Sequence, residues 1–478
     1  MRAKVIGEGA NLGVTQKGRI AYSLAGGRCN SDAIDNSAGV NSSDVEVNIK
    51  IALNAAMQDG RLPRDKRNKL LASMTDEVGE LVLRNNYLQP LSISLIERRG
   101  VGNREQLSRL MSVLEGQGKL NRKVETLPDD AELAERYAAG KPLSRPEIGV
   151  LLSYSKIVLF DALLESAIPD DPYFAAILKA YFPAKMQKPY AGDIANHRLH
   201  REIVATALAN EAVNRGGPGF IQMMSDMTGA TAANVVKAIF LIRDGFDLPR
   251  LWAEVDALDN RIPGSVQNDL HAQINRIITI GTYLALQTQI SAAPLTEAVA
   301  RLKSAIKGLH GAMTEEVIAE TAPLAAELEA QGAPASLIAE IRTLSALVIA
   351  PEIMLIADRT GESMARAAES YFGVTKTFRV NRLIVAGERI STSDHYESLA
   401  LSRGLQQLAS ARRDIVITAL TEHRKDKKPV QAWIAADRVR VNRIGAELMA
   451  LSDSGDLTLP KISVAAGLLG DLAHGRLA

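Results

Sequence analysis

The sequence predicts a mainly α-helical protein, with a short α/β segment at its N-terminus followed by a large multi-helix region. Three observations carry this. From about Leu62 onward, apolar residues recur at helical spacing almost without relief. Aromatic residues are only 4% of the chain, while Ala and Leu are abundant, a composition that favours helices and needs little aromatic filling. The first fifty residues have a different texture. There Ala3–Ile6 reads as the end of a buried strand, broken by Gly7-Glu8-Gly9-Ala10-Asn11 and then by Gly13, Gly18, Gly26 and Gly27. Asn30-Ser31-Asp32 and Asp35-Asn36-Ser37-Ala38-Gly39 continue the loop chemistry, because Asn and Asp side chains bond their own backbone.

A short helix fits between Thr15 and Ala25. Ser43-Asp44-Val45-Glu46 reads as a capping box, which predicts a helix from there to about Gln58 with Ile49, Leu53 and Met57 on its buried face. Ser144-Arg145-Pro146-Glu147 marks another helix start, with proline in the first turn and Leu143 and Ile148 at staple positions. Ile148, Leu151, Leu152, Ser155, Val158, Leu159 and Ala162 lie along one face of that helix, which Pro169–Pro172 stops. Val299, Leu302, Ile306 and Leu309 form a further stripe, and Thr314-Glu315-Glu316-Val317 predicts the next helix start. Val374–Val385 fits a strand or a helix equally. His423–Lys428 reads as an exposed connection before the last helices. These signals suggest domains over 1–60, 61–310 and 311–478.

Hydrophobic residues at 46% and charged residues at 23% describe a globular chain with a real core rather than a disordered one. The formal net charge is +1, from 56 basic and 55 acidic side chains, which argues against a nucleic-acid-binding role. The most apolar stretch, Ala346–Ala357, is interrupted by Pro351 and Glu352 and is too short to span a bilayer. Cys29 is the one cysteine, so neither an internal disulfide nor a cysteine-rich metal site can form. One thiol in a long chain with no visible secretory signal points to the cytoplasm. No metal site is expected: His197 and His200 are three apart on an expected helix, but Arg198 and Arg201 disfavour a cation beside them. They read instead as part of a solvated or inter-helix polar face.

The chemistry concentrates near the N-terminus. A strand that stops in Gly-Ala-Asn exposes backbone polar groups at the carboxyl end of a sheet, where open α/β sheets bind ligands. Asparagine supplies a donor and an acceptor, which suits an amide such as nicotinamide. A helix opening at Ser43 would offer free N–H groups to a carboxylate.

Val5-Ile6-Gly7-Glu8-Gly9-Ala10-Asn11, with Thr15 four residues on, resembles the Glu-Gly-Ala-Asn turn of amino-acid dehydrogenases of the glutamate dehydrogenase superfamily. Asn36-Ser37-Ala38-Gly39-Val40, followed by Ser43 and Glu46, resembles their Asn-Ala-Gly-Gly-Val stretch with its later Ser and Glu. The fuller runs Gly9–Gln16 and Asp32–Val40 are closer to the large NAD-specific glutamate dehydrogenases of bacteria, and so are Leu143–Lys156, Pro169–Pro172 and His197–Ile203 in the helical region. The resemblance implies that residues 1–60 are the remnant of a Rossmann-type dehydrogenase domain, the end of its dinucleotide-binding part. It places Gly9, Ala10 and Asn11 beside the nicotinamide end of NAD, Asn36 near nicotinamide and substrate, and Ser43 on a glutamate carboxylate. The implied reaction is hydride transfer from the α-carbon of L-glutamate to NAD, then hydrolysis of the imine to 2-oxoglutarate and ammonium. A homo-oligomer is also expected.

The family's active-site lysine motif, its general-acid aspartate motif and the Gly-x-Gly-x-x-Gly turn for the pyrophosphate are not found in this sequence. No catalytic residue is therefore assigned to the chain, which is expected to need upstream domains, in the same or a separate polypeptide, for activity. Plainer roles stand beside these: Asn11 and Asn36 also suit left-handed turns, and Ser43 an N-cap. A helical scaffold or regulatory protein that keeps the old loop without its chemistry is the alternative.

Overall fold

A computed structural model describes residues 2–11, 13–312, 317–318, 325–392 and 395–475. The expected helix start at Thr314–Glu316 lies outside the described residues. Helix accounts for 77% of the structure, and no strand or sheet occurs among the described residues. The chain forms two compact units, Met1–Phe240 and Leu241–Ala478.

The expected α/β segment is therefore corrected: there is no Rossmann-type remnant at the N-terminus. Val5 is 67% exposed and makes one isolated parallel bridge to Arg28. Ile6 N–H donates to the Arg28 carbonyl and Arg28 N–H to the Lys4 carbonyl, both at 2.9 Å. The physical reason is that a short apolar run does not by itself specify a strand; pairing along its length does. Here the chain leaves the bridge at once on both sides, into the glycine turn after Ile6 and into Ser31 after Arg28. A single crossing results.

The first unit is built on helices that the sequence largely marks. Helix α1 (Gln16–Leu24) is capped by the Thr15 hydroxyl, which accepts from Gly18 N–H at 3.1 Å. A single turn, α2 (Asp32–Asp35), runs into α3 (Ser37–Gln58). Helix α4 (Arg64–Ser73) leads to α5 (Thr75–Arg98); α6 (Arg104–Gly116), α7 (Arg122–Glu125) and α8 (Asp130–Ala138) precede α9 (Arg145–Leu164).

Helix α9 starts where the sequence predicts, with a capping box and Pro146 in its first turn. Most of the expected face is buried: Ile148, Leu151, Leu152 and Leu159 are at most 3% exposed, while Val158 and Ala162 at its edge are half-buried. It packs on α5 and on the helix His200–Gly216. Gly149 lets it approach α2 closely, since a Cβ there would stand 2.9 Å from Ser31 Oγ and 3.2 Å from Ile34 Cγ1.

Glu147 is 1% exposed, and its carboxylate holds the α9 start against α8. Arg136 donates to both its oxygens, at 2.6 and 2.9 Å, and Ser144 N–H and Oγ–H each donate at 2.6 Å.

The second unit contains the long helices Gly264–Gln287 and His395–Glu422, with Leu459–Ala473 packed along the latter. The stripe on Leu295–Leu309 is buried at Val299, Leu302 and Leu309. Val374–Val385 is helical, divided between Met364–Thr377 and Val380–Gly387. Lys425–Lys428 form an exposed connection ahead of the helix Pro429–Ala436. No helix among the described residues is long and apolar enough to cross a membrane.

Glu147→Ala removes the shared carboxylate acceptor of the Arg136 guanidinium and the α9 start, leaving Arg136 the Pro142 carbonyl. A loss of about 3–5 kcal/mol is expected in urea unfolding followed by circular dichroism; a loss below 1 kcal/mol would mean that the ion pair is not what fixes this helix start.

Candidate functional site

The two glycine–asparagine turns near the N-terminus are joined by one buried side chain. Arg19, on α1, is 1% exposed. Its guanidinium pairs with Glu8 and, at 3.2 Å, with Asp35. It also donates to the carbonyls of Val14 (3.2 Å) and Asn30 (3.0 Å). Glu8 in turn accepts from the backbone N–H groups of Gly13 (2.5 Å) and Val14 (3.3 Å), which closes the first turn. Asp35 accepts from Glu8 N–H at 3.3 Å and from Asn30 Nδ2 at 2.9 Å, which closes the second turn onto the first. Glu8 precedes Gly9, and Asp35 precedes Asn36. The arginine and its two carboxylates thus fix the roots of both candidate turns.

The cluster is anchored to the helices behind it through Arg145. Its Nε donates to Asn30 Oδ1 at 3.1 Å, and its NH1 to Ser94 Oγ and Glu97 Oε2, both at 2.9 Å. Burial lowers the Arg145 pKa from its ordinary value while Glu97 opposes the shift.

On this base the candidate residues are presented outward. Gly9, Ala10 and Asn11 are exposed, and Asn11 adopts φ +58°. Asn36 is half-buried at the N-cap of α3. Gly39 leaves room for it: a Cβ there would meet Asn36 Oδ1 at 2.5 Å. Neither asparagine amide hydrogen-bonds to another described residue, so both remain open to a ligand amide or carbonyl.

Ser43 is exposed, but it does not begin a helix. Helix α3 starts six residues earlier, at Ser37, and Ser43 Oγ lies 3.4 Å from the Gly39 carbonyl. Glu46 pairs with Lys50, four residues on, rather than reaching back to Ser43. The capping-box pattern was outcompeted by Asn36, where α2 ends and α3 begins. Ser43 nevertheless lies seven residues after Asn36, hence on the same helix face and about 10 Å along the axis.

Helix α3 is held by two partners, the half-buried Tyr181 and the buried His197, that the sequence does not mark as such. Asn48 donates to Tyr181 Oη at 2.9 Å. The Asn48 carbonyl accepts from His197 Nε2 at 3.1 Å, while His197 Nδ1 accepts from Leu199 N–H at 3.1 Å, which fixes the neutral tautomer. Burial pushes the His197 pKa down. His197 precedes the helix that opens at His200, so the two histidines do not share a helical face as expected. Cys29 is buried, with Sγ 3.5 Å from the Arg19 carbonyl.

At the α3–α5 contact, Ser37 Oγ bonds Asn86 and accepts from Gln89 Nε2 at 2.9 Å, and Gln89 Oε1 accepts from Lys156 Nζ at 3.0 Å. Desolvation lowers the Lys156 pKa to about 7.

Among the described residues, the cluster sets the side-chain amides of Asn11 and Asn36 in the same N-terminal segment as the exposed Ser43. A family model described as "Glutamate dehydrogenase, C-terminal" matches residues 140–471, and one described as "Bacterial NAD-glutamate dehydrogenase, catalytic domain" matches residues 1–96. The chain belongs to the glutamate dehydrogenase family. It is 36% identical to the NAD-specific glutamate dehydrogenase of Pseudomonas aeruginosa over 99% of its own length and 30% of the relative's. Identity to the Halomonas elongata enzyme of the same name is 37%, over 84% of this chain and 25% of that one. For the Mycobacterium tuberculosis enzyme it is 30%, over 98% and 29%. The chain thus spans under a third of the length of these relatives.

Arg19→Met leaves Glu8 and Asp35 without their shared cation. Amides of residues 6–36 are expected to exchange with solvent at least tenfold faster, while those of α9 are little changed; uniform protection throughout would refute the linking role. Lys156 gives a pH signature. Unfolded, it keeps its proton up to about 10.5; folded, it loses it near 7. The unfolded state therefore binds more protons between these values, and stability rises with pH from about 7 to 10.5 and is flat below. Lys156→Met should flatten that rise in urea unfolding measured across the range.

Proposed function

We propose that residues 1–60 form one wall of the nicotinamide and substrate site of an NAD-dependent glutamate dehydrogenase, which oxidatively deaminates L-glutamate to 2-oxoglutarate and ammonium. The observation that carries this reading is the Arg19 cluster. It ties together two turns with open asparagine amides, both within the stretch matched by the catalytic-domain family. Asn11, with Gly9 and Ala10, faces the nicotinamide end of NAD; Asn36 lies between cofactor and substrate; Ser43, on the same face of α3, donates to a glutamate carboxylate.

The residues fit that end of the cofactor alone. When bound, NAD accepts the hydride released from the substrate α-carbon. The part played by this chain is to hold the carboxamide and the substrate carboxylate in register, which counts because hydride transfer requires near-attack geometry. The helical remainder serves assembly, positioning of the catalytic domains or regulation.

In an enzyme completed by the expected upstream domains, in the same or a separate polypeptide, Ser43→Ala removes one hydrogen bond to a charged group, a loss of about 1.5–3 kcal/mol. The KM for glutamate should rise about tenfold to a hundredfold with kcat little changed, because the bond is made equally in ground and transition states. An unchanged KM would remove Ser43 from the site. The purified 478-residue chain is expected to show no glutamate-dependent rise in NADH absorbance, and a measurable rate would overturn the requirement for further domains.

A further inference from the structure

A cavity of about 290 Å³ lies within the second unit, between the helix Gly264–Gln287 and the long helix His395–Glu422. This is near the lower end of the range for small-molecule pockets and too small for a dinucleotide. One side of it is the carboxylate of Glu352, a residue 1% exposed. Three donors converge on that carboxylate: Tyr371 Oη at 2.7 Å, Arg412 NH2 at 3.1 Å and Arg413 NH1 at 3.3 Å. Arg412 also stacks over the Tyr371 ring, 4.2 Å from its centroid.

The charges do not balance. Two guanidinium groups share one carboxylate, and Arg403, which also lines the cavity, has no ion-pair partner among the described residues. Asp414, the next residue on the helix, accepts from the Ser410 hydroxyl at 3.4 Å and offsets part of this excess. Arg403, Arg412 and Arg413 against Glu352 and Asp414 still leave one positive charge. The Nε atoms of both Arg412 and Arg413 are buried with no acceptor among the described residues. A buried cation short of acceptors is unfavourable unless an anion completes it. Neutral donors also line the cavity, including the amides of Gln287 and Gln406. The Tyr283 hydroxyl, its pKa pushed up to about 12 mainly by burial, stays protonated at neutral pH.

We propose that this cavity binds the oxyanion, carboxylate or phosphate, of a small organic molecule, with Arg413 and Arg403 as its charged contacts. Guanidinium groups suit both anions, because their paired N–H donors match two oxygens at once. Arg412 is held by Glu352 and the Tyr371 ring and acts behind Arg413. The site lies wholly within residues 283–413 and stands apart from the dehydrogenase reading.

Isothermal titration of the full 478-residue chain with succinate, and separately with inorganic phosphate, at ionic strength matched with sodium chloride, tests this. Saturable one-to-one binding of at least one probe is expected. Arg403→Gln, exposed and unpaired and so compatible with folding, should weaken it at least about tenfold. Arg413→Lys, which keeps the charge near Glu352, should also weaken it, while Arg276→Gln, on the surface pair with Glu388, should not. Binding of succinate alone identifies a carboxylate ligand, phosphate alone a phosphate, and both a site that reads only the oxyanion. Absence of saturable binding by either probe, or binding that Arg403→Gln leaves unchanged, overturns the proposal.

Discussion

A guanidinium that is 1% exposed must have its donors satisfied, and around Arg19 that requirement organises the N-terminal sixty residues. Its partners come from Glu8, Val14, Asn30 and Asp35, four points on a chain whose described residues form no sheet to order it. Removing water from this cluster strengthens each contact and raises the penalty for losing any one of them. The glycine-rich turns can therefore be locally permissive yet hold a defined arrangement. The side-chain amides of Asn11 and Asn36 have no hydrogen-bond partner among the described residues, because the turns are held at their roots.

The same device recurs deeper in the molecule. Glu147 is enclosed by Arg136 and Ser144, and Glu352 by Arg412, Arg413 and Tyr371. Helix faces of Leu, Ile, Val and Ala are much alike, and area burial alone discriminates weakly among ways of stacking them. A buried carboxylate with directed partners permits fewer arrangements. Asn48 does this without charge, since its side chain and carbonyl each engage a separate neighbour of α3. The three clusters differ in closure. Around Glu147, carboxylate and donors are matched, whereas around Glu352 the cations outnumber the carboxylate.

Sequence patterns located helices well where the signal was local. The α9 start depends on Ser144, Pro146 and Glu147, all within one turn, and the structure has it there. Local patterns failed where two of them competed. Ser43 and Glu46 satisfy the capping-box spacing, but Asn36 terminates α2 and begins α3 first, so Ser43 falls inside the helix. Ala3–Ile6 has the composition of a strand and becomes one bridge, because strand formation depends on what lies alongside. Arg19 carried no motif, and Asp35 and Arg145 lay inside motifs that say nothing of their ion-pair partners. An arginine in a short polar helix looks like any solvated residue until its partners, up to sixteen positions away for Asp35, are known to meet.

By itself the sequence determined the predominance of helix, though not the loss of the N-terminal α/β segment, together with the position of α1, the cap of α9, most of its buried face and the exposed Lys425–Lys428 connection. These depend on neighbours within a turn or two, or on composition. Its motifs also identified the family through Gly9–Gln16 and Asp32–Val40. Only the tertiary structure decided that both candidate turns rest on Arg19, that His197 braces α3 as a neutral donor, and that arginines gather around Glu352. Those facts depend on which side chains lose water together, and that is a property of the packed chain, not of residue spacing.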